Sequence, residues 1–200
     1  MKRRSQTLSV DLLIYGYSTG IFPMADSETG EIQWYLPKMR AIIPLDGFHV
    51  PRSLRQVIKK NLFEIRINEN FEAVMRGCAT DRGDQRGTWI SEEMIEAYCE
   101  LHKMGYAHSV ESYQDGKLVG GLYGVSIGGA FFGESMFYRV SNASKVALYY
   151  LVERLKARQF TLLDSQFIND NVARFGAIEI PHHQYLHMLK DALKTRTSFV

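Results

Sequence analysis

The stretch FTLLDSQFIND (Phe160–Asp170) decides how this chain is read. Phe160 to Leu163 is an apolar run with strand propensity, and then Asp164 and Gln166 stand two apart where a buried strand would stay apolar. Strand side chains alternate between faces, so Asp164 and Gln166 are expected to point one way and Leu163 and Ser165 the other. One reading is a structural pair satisfied by its neighbours, or the approach to a helix cap at Asn169-Asp170, because buried polar groups generally find partners. The other is part of a site.

A second apolar stretch carries the same anomaly. AFFGESMFYR (Ala130–Arg139) reads as a strand, with Glu134 and Met136 expected on one face and Phe131, Gly133 and Ser135 on the other. A carboxylate among aromatics is costly to bury unless it is paired, hydrogen-bonded or protonated. Glu134, Asp164 and Gln166 together are three polar groups on two apolar strands, which points to a site. The residues alone lead to a pocket with an acid–amide pair, apolar walls and a basic face nearby.

Working outward, the chain alternates strands and helices without repeats or low-complexity tracts. Leu8 to Ser18 reads as a helix stopped by Gly20, and residues 21–40 as a loop-rich segment punctuated by Pro23, Gly30 and Pro37. AIIPL, FEIRI, AHSVESY, KLVGGLYGVSI and AFFGESMFYR read as strands, with Asp115-Gly116 as a hairpin turn. SEEMIEAYCELHKMG carries helix signals at both ends: Ser91 as N-cap and Gly105 as stop. NASKVALYYLVERLKARQ and PHHQYLHMLKDALK follow as helices. The pattern predicts an α+β fold: a small N-terminal domain over residues 1–40 and a larger domain over 41–200.

Composition is that of an ordinary globular chain of 200 residues with a net charge of +2. There is no run of 18 apolar residues, which argues against a membrane span, and the basic start lacks the apolar core of a secretory signal. Two cysteines outside any metal-binding pattern fit a reduced, cytoplasmic setting. Residues 1–60 hold nine Lys/Arg against five Asp/Glu, concentrated in Lys2-Arg3-Arg4 and in RSLRQVIKK (Arg52–Lys60). The second segment reads as a short helix with Arg52, Arg55, Lys59 and Lys60 outward, either a solvated face or a phosphate-binding patch. GGLYGVSIGG has no GK[ST] and lies on a hairpin, so it is no P-loop. His182-His183 lack a third ligand at zinc spacing, and Ser144-Lys145 lack the spacing of a serine–lysine hydrolase. No metal or nucleotide cofactor is implied.

The motifs GESMF, NASK and LLDSQ at these distances, with YGYSTGIFPM, TWISEEM and FGAIEIP around them, resemble the leucyl/phenylalanyl-tRNA–protein transferases over nearly the whole chain. The resemblance implies a larger domain related to N-acetyltransferases, with a mostly antiparallel sheet flanked by helices. It also implies transfer of Leu or Phe, and Met as well, from aminoacyl-tRNA to the N-terminal amine of proteins starting with Arg or Lys, marking them for N-degron proteolysis. Asp164 and Gln166 match the family's DxQ pair, the Gln contacting the incoming amine and the Asp orienting the Gln. Glu134 and Met136 match residues lining the pocket for the aminoacyl-adenosine end. Trp89 and Asn169 match an aromatic and a polar residue of the same region, and Arg52, Arg55, Lys59 and Lys60 a face for the tRNA acceptor stem. Leu122, Phe131 and Leu148 are expected to complete the apolar wall. Tyr138 stands where relatives usually have Ser. No cofactor is implied, and a monomer is expected. An acyl-CoA-dependent N-acetyltransferase and a non-catalytic tRNA-binding module are the competing readings.

Overall fold

The computed structural model describes residues 8–26, 28–80 and 88–200; the triplet Lys2-Arg3-Arg4 lies outside them. Helix α1 (Val10–Thr19) starts at Ser9, whose Oγ accepts from the Leu12 N–H, and stops at Gly20 in the left-handed conformation. The segment expected to be loop-rich instead forms a hairpin of β1 (Phe22–Ala25) and β2 (Ile32–Tyr35). Pro23 is tolerated because this sheet has only two strands, so each has an unpaired edge. Asp26 builds the turn by accepting from the Glu28 and Thr29 N–H groups. The hairpin docks through Trp34, whose ring lies so close over Gly16 that a Cβ there would come within 2.1 Å of it.

The main sheet has seven strands: β3 (Met39–Ile42), β4 (Glu64–Ile67), β5 (Ala107–Gln114), β6 (Lys117–Ile127), β7 (Ala130–Tyr138), β8 (Leu162–Gln166) and β9 (Ile178–Pro181). Their order is β4-β5-β6-β7-β8-β3-β9. All pairs are antiparallel except β7–β8, which are joined by a crossover through α5 (Ala143–Ala157). Asp115 and Gly116 both hold positive φ in the two-residue turn between β5 and β6, as that turn type requires.

Alternation along the strands feeds two cores. On one face, Phe132, Tyr123 and Leu162 pack with α1, α3 (Phe71–Ala79), α4 (Glu92–Lys103) and α7 (His182–Ala192). On the other, Phe131, Leu122 and Leu163 pack with α2 (Arg52–Lys59) and α5. The fold is α+β, as expected, and no described helix is long and apolar enough to cross a membrane.

The sheet opens where the anomalous residues sit. β7 and β8 pair from Ala130/Leu162 to Phe132/Asp164 and no further, although both strands continue. Each is also irregular there. Tyr123 faces Ser135 and Gly124 faces Gly133, leaving Glu134 as an extra residue on β7. Ile42 faces Asp164 and Ala41 faces Gln166, leaving Ser165 extra on β8, and Gln166 takes a left-handed φ of 58°. These bulges correct the simple alternation expected for both stretches. One inserted residue shifts the period, so Phe131 and Met136 pack on the same core rather than on opposite faces.

Candidate active site

A cavity of about 270 Å³ fills the opening between the splayed strands. Its walls come from β7 at Gly133–Met136, from 163–167 on and after β8, from Phe22 and Met24 on the hairpin, and from helix α5 at Leu148. Asp164, Gln166, Glu134, Met136, Trp89, Asn169, Leu122 and Leu148 all line it. Phe131 does not: it is fully buried, its ring stacked 5.2 Å from Phe199 in the second core. The hairpin is tied to the rim by the Ala25 N–H, which donates to the Trp89 carbonyl at 3.1 Å.

Asp164 is fully engaged. Arg40 Nη2 donates to its Oδ2 at 2.6 Å and Arg40 Nε reaches Oδ1 and Oδ2 at 3.0 and 3.1 Å. Tyr185 Oη donates to Oδ2 at 2.7 Å and the Gln166 backbone N–H to Oδ1 at 2.8 Å. Both charged side chains are wholly buried. Arg40 is held in turn between the rings of Phe22 and Tyr185 and donates to the Gly20 carbonyl. Asp164 therefore touches the backbone of Gln166 and fixes the turn that ends β8.

The Gln166 side chain is held by a different carboxyl. Its Nε2 donates to Glu134 Oε1 at 3.2 Å, and the same oxygen accepts from Tyr17 Oη at 2.7 Å. Tyr17 also shares a short hydrogen bond with Tyr98. With Nε2 turned to Glu134, the amide oxygen of this cavity-lining residue has no partner among the described residues. Burial pushes the Glu134 carboxyl up to about 8, with the Asp164 charge adding to the rise and Tyr17 and Arg40 opposing it. The shift favours the protonated carboxyl, which can donate as well as accept. Tyr123 and Ser165 also line the cavity, and their buried hydroxyls have no partner among the described residues.

Asn169 combines two tasks: it lines the cavity, and its Oδ1 caps helix α6 (Asp170–Ala173) by accepting from the Asn171 and Val172 N–H groups. Arg52, Arg55, Lys59 and Lys60 are exposed at α2 and its C-terminal end, and none is in a salt bridge among the described residues. Arg55 is the most constrained, donating from Nε to the Val50 carbonyl.

The model for the leucyl/phenylalanyl-tRNA protein transferase matches residues 42–190, and the model for that family's N-terminal domain matches residues 6–38. The chain belongs to this family. Among curated leucyl/phenylalanyl-tRNA–protein transferases, that of Chlorobaculum tepidum is 51% identical over 96% of this chain and 100% of its own length. That of Gloeobacter violaceus is 52% identical over 96% and 98%, and that of Zymomonas mobilis 54% identical over 92% and 69%.

In this member of the transferase family, the residues that hold the site together are ones sequence reasoning passed over: Arg40, Tyr17, Tyr98 and Tyr185. Arg40 did carry a signal, as a lone cation in the apolar run Met39–Ile43. The tyrosines carried none, because an aromatic on a helix face reads as ordinary core. Among the described residues, no group of three His, Cys, Asp or Glu side chains is placed to hold a metal ion.

Proposed function

We propose that this transferase moves Leu or Phe, and Met as well, from charged tRNA to the N-terminal α-amine of proteins starting with Arg or Lys, as a cytoplasmic monomer, thereby exposing them to N-degron proteolysis. The observation that carries this reading is the Gln166 side chain. It is fixed by Glu134, leaves its amide oxygen without a partner among the described residues, and lines a cavity whose remaining walls are largely apolar. An acceptor at that oxygen suits an amine, and the Leu122, Met136 and Leu148 surface suits an apolar donor side chain.

The reaction balances simply. The amine nitrogen attacks the ester carbonyl carbon, a C–N bond forms, and the bond to the ribose oxygen breaks. The amine loses one proton and the ribose oxygen gains one. An ester becomes an amide, so the step runs downhill and alignment dominates. An α-amine with a pKa of about 7.7–8.0 is roughly a tenth to a fifth neutral at pH 7, so obtaining the free base costs only about 1 kcal/mol. Holding the two partners in line contributes as much as about 7–11 kcal/mol. No strong base is needed. Gln166 orients the amine. Asp164, already accepting from Arg40, Tyr185 and the Gln166 backbone, acts as a positioning residue. Glu134 holds the amide and can donate from its protonated form to the donor's ribose or amino group.

The test is transfer of labelled Leu from charged tRNA to peptides starting with Arg, Lys, Asp, Glu or Ala. The reading expects product with Arg and Lys. Equal binding of charged and uncharged tRNA with no product would leave an RNA-binding module instead.

A further inference from the structure

A second cavity, of about 690 Å³, adjoins the first, and Met136 and Asn171 line both. Its chemistry is different. Arg139, Lys145 and Arg174 line it, and its described lining includes no Asp or Glu. None of these three cations is in a salt bridge among the described residues.

The cavity reaches the start of α5. Asn142, at a left-handed φ of 70°, makes no side-chain cap there. The N–H groups of Ser144 and Lys145 have no partner among the described residues. Ser144 is only 4% exposed, yet it lines the cavity and its hydroxyl has no hydrogen-bond partner among the described residues. The helix start is pressed on the sheet, since a Cβ at Gly120 would come within 2.5 Å of the Ala143 Cβ. A fixed helix start, the Ser144 hydroxyl and three cations outside the described salt bridges thus bring hydrogen-bond donors and positive charge to one place. A phosphate is the anion that accepts from all of these at once.

Tyr138 narrows the source of that phosphate. It lines the same cavity and is 67% exposed, which is a poor place for an aromatic with no ring contact among the described residues. A nucleic-acid base stacks on such a face, whereas an acidic peptide end has no use for it. On the reading above, the first cavity takes the esterified terminal adenosine, so the phosphodiester one nucleotide back lies beside it. Resting on that reading, we propose that the second cavity binds this phosphodiester through Ser144, Lys145, Arg139 and Arg174, with the preceding base stacked on Tyr138. The enzyme would then read its donor strand beyond the aminoacyl ester.

The experiment compares calorimetric binding of two unreactive donor analogues to the full chain. One is 3′-amino-3′-deoxyadenosine carrying phenylalanine in amide linkage; the other is the same molecule extended by a 5′ cytidylyl phosphate. The extended analogue should bind about tenfold or more tightly, as hydrogen bonds to a charged group imply. That gain should shrink as salt rises. It should fall several-fold in Lys145→Gln and in Tyr138→Ser, and vanish in a combined Arg139→Gln, Lys145→Gln, Arg174→Gln variant. Equal binding of the two analogues by the wild type overturns the proposal while leaving the reading of the first cavity intact. Binding of neither overturns both. If the combined variant keeps the gain but loses transfer to an Arg-starting peptide, the cavity serves the acceptor and the proposal is wrong.

Discussion

Arg40 Nη2 stands 2.6 Å from Asp164 Oδ2, with both side chains excluded from solvent. A buried pair of this kind contributes little net stability over a well-packed apolar pair, but breaking it leaves one charge uncompensated. Asp164→Asn should therefore destabilise the fold by about 3–5 kcal/mol, read from urea denaturation. An Arg40→Met, Asp164→Leu double variant should recover part of that loss. A stable Asp164→Asn protein that lacks only activity would mean that the carboxylate acts in the chemistry and not in positioning.

The Glu134 carboxyl gives a signed pH dependence. Burial raises it to about 8, so the folded state keeps a proton that the unfolded chain releases near the ordinary carboxylate range. Native Glu134 thus binds more protons than the unfolded chain between those values, and its contribution to stability falls as pH rises through that window. Thermal melting of the wild type from pH 5 to 8 should lose stability relative to Glu134→Gln, by up to about 1.4 kcal/mol per pH unit. Parallel curves would place the carboxyl in its ordinary range.

The basic helix should act on the donor's stem alone. Lys59→Glu with Lys60→Glu should weaken binding of charged tRNA and flatten its salt dependence, since fewer counterions are released. Transfer from a minimal aminoacyl-adenosine should be largely spared. Equal losses with both donors would show that α2 supports folding or the shape of the cavity.

Donor choice should follow the apolar wall. Leu122, Met136, Leu148 and Leu151 offer no polar recognition group, so Leu, Phe and Met should be accepted in graded fashion. Branching at Cβ should cost Ile and Val about 1–3 kcal/mol, and Asp or Lys donors should be refused more firmly because they would be buried unpaired. Met136→Ala should favour Phe over Leu in competition assays with the two charged tRNAs. An unchanged ratio would remove Met136 from the donor pocket.

How much of this was legible in the sequence depends on the range of the forces involved. The helix stop at Gly20, the helix ends at Ser91 and Gly105, and the Asp115-Gly116 turn were readable because caps and turns are local, whereas the Ser9 cap was missed and the helix expected from Leu8. Asp164, Gln166 and Glu134 announced themselves as polar groups in apolar strands. Their partners did not. The Arg40–Asp164 pair spans 124 positions and Tyr17–Glu134 spans 117, so only the folded sheet reveals which carboxyl touches which group. The two bulges were also invisible, and with them the fact that Asp164 meets the backbone of Gln166 while Glu134 meets its amide. The four-residue elements α6 and β9 carry too few residues for a period to stand out.

The account rests on Gln166 as the group that aligns the acceptor amine, and single-turnover transfer of labelled Leu from charged tRNA to an Arg-starting peptide tests it most directly. Wild type should give product. Gln166→Ala should bind charged tRNA with undiminished affinity yet transfer slower by about two orders of magnitude, the scale expected when a reactant is misplaced by an ångström. Transfer at the wild-type rate by Gln166→Ala, or loss of tRNA affinity in step with the rate, would contradict it.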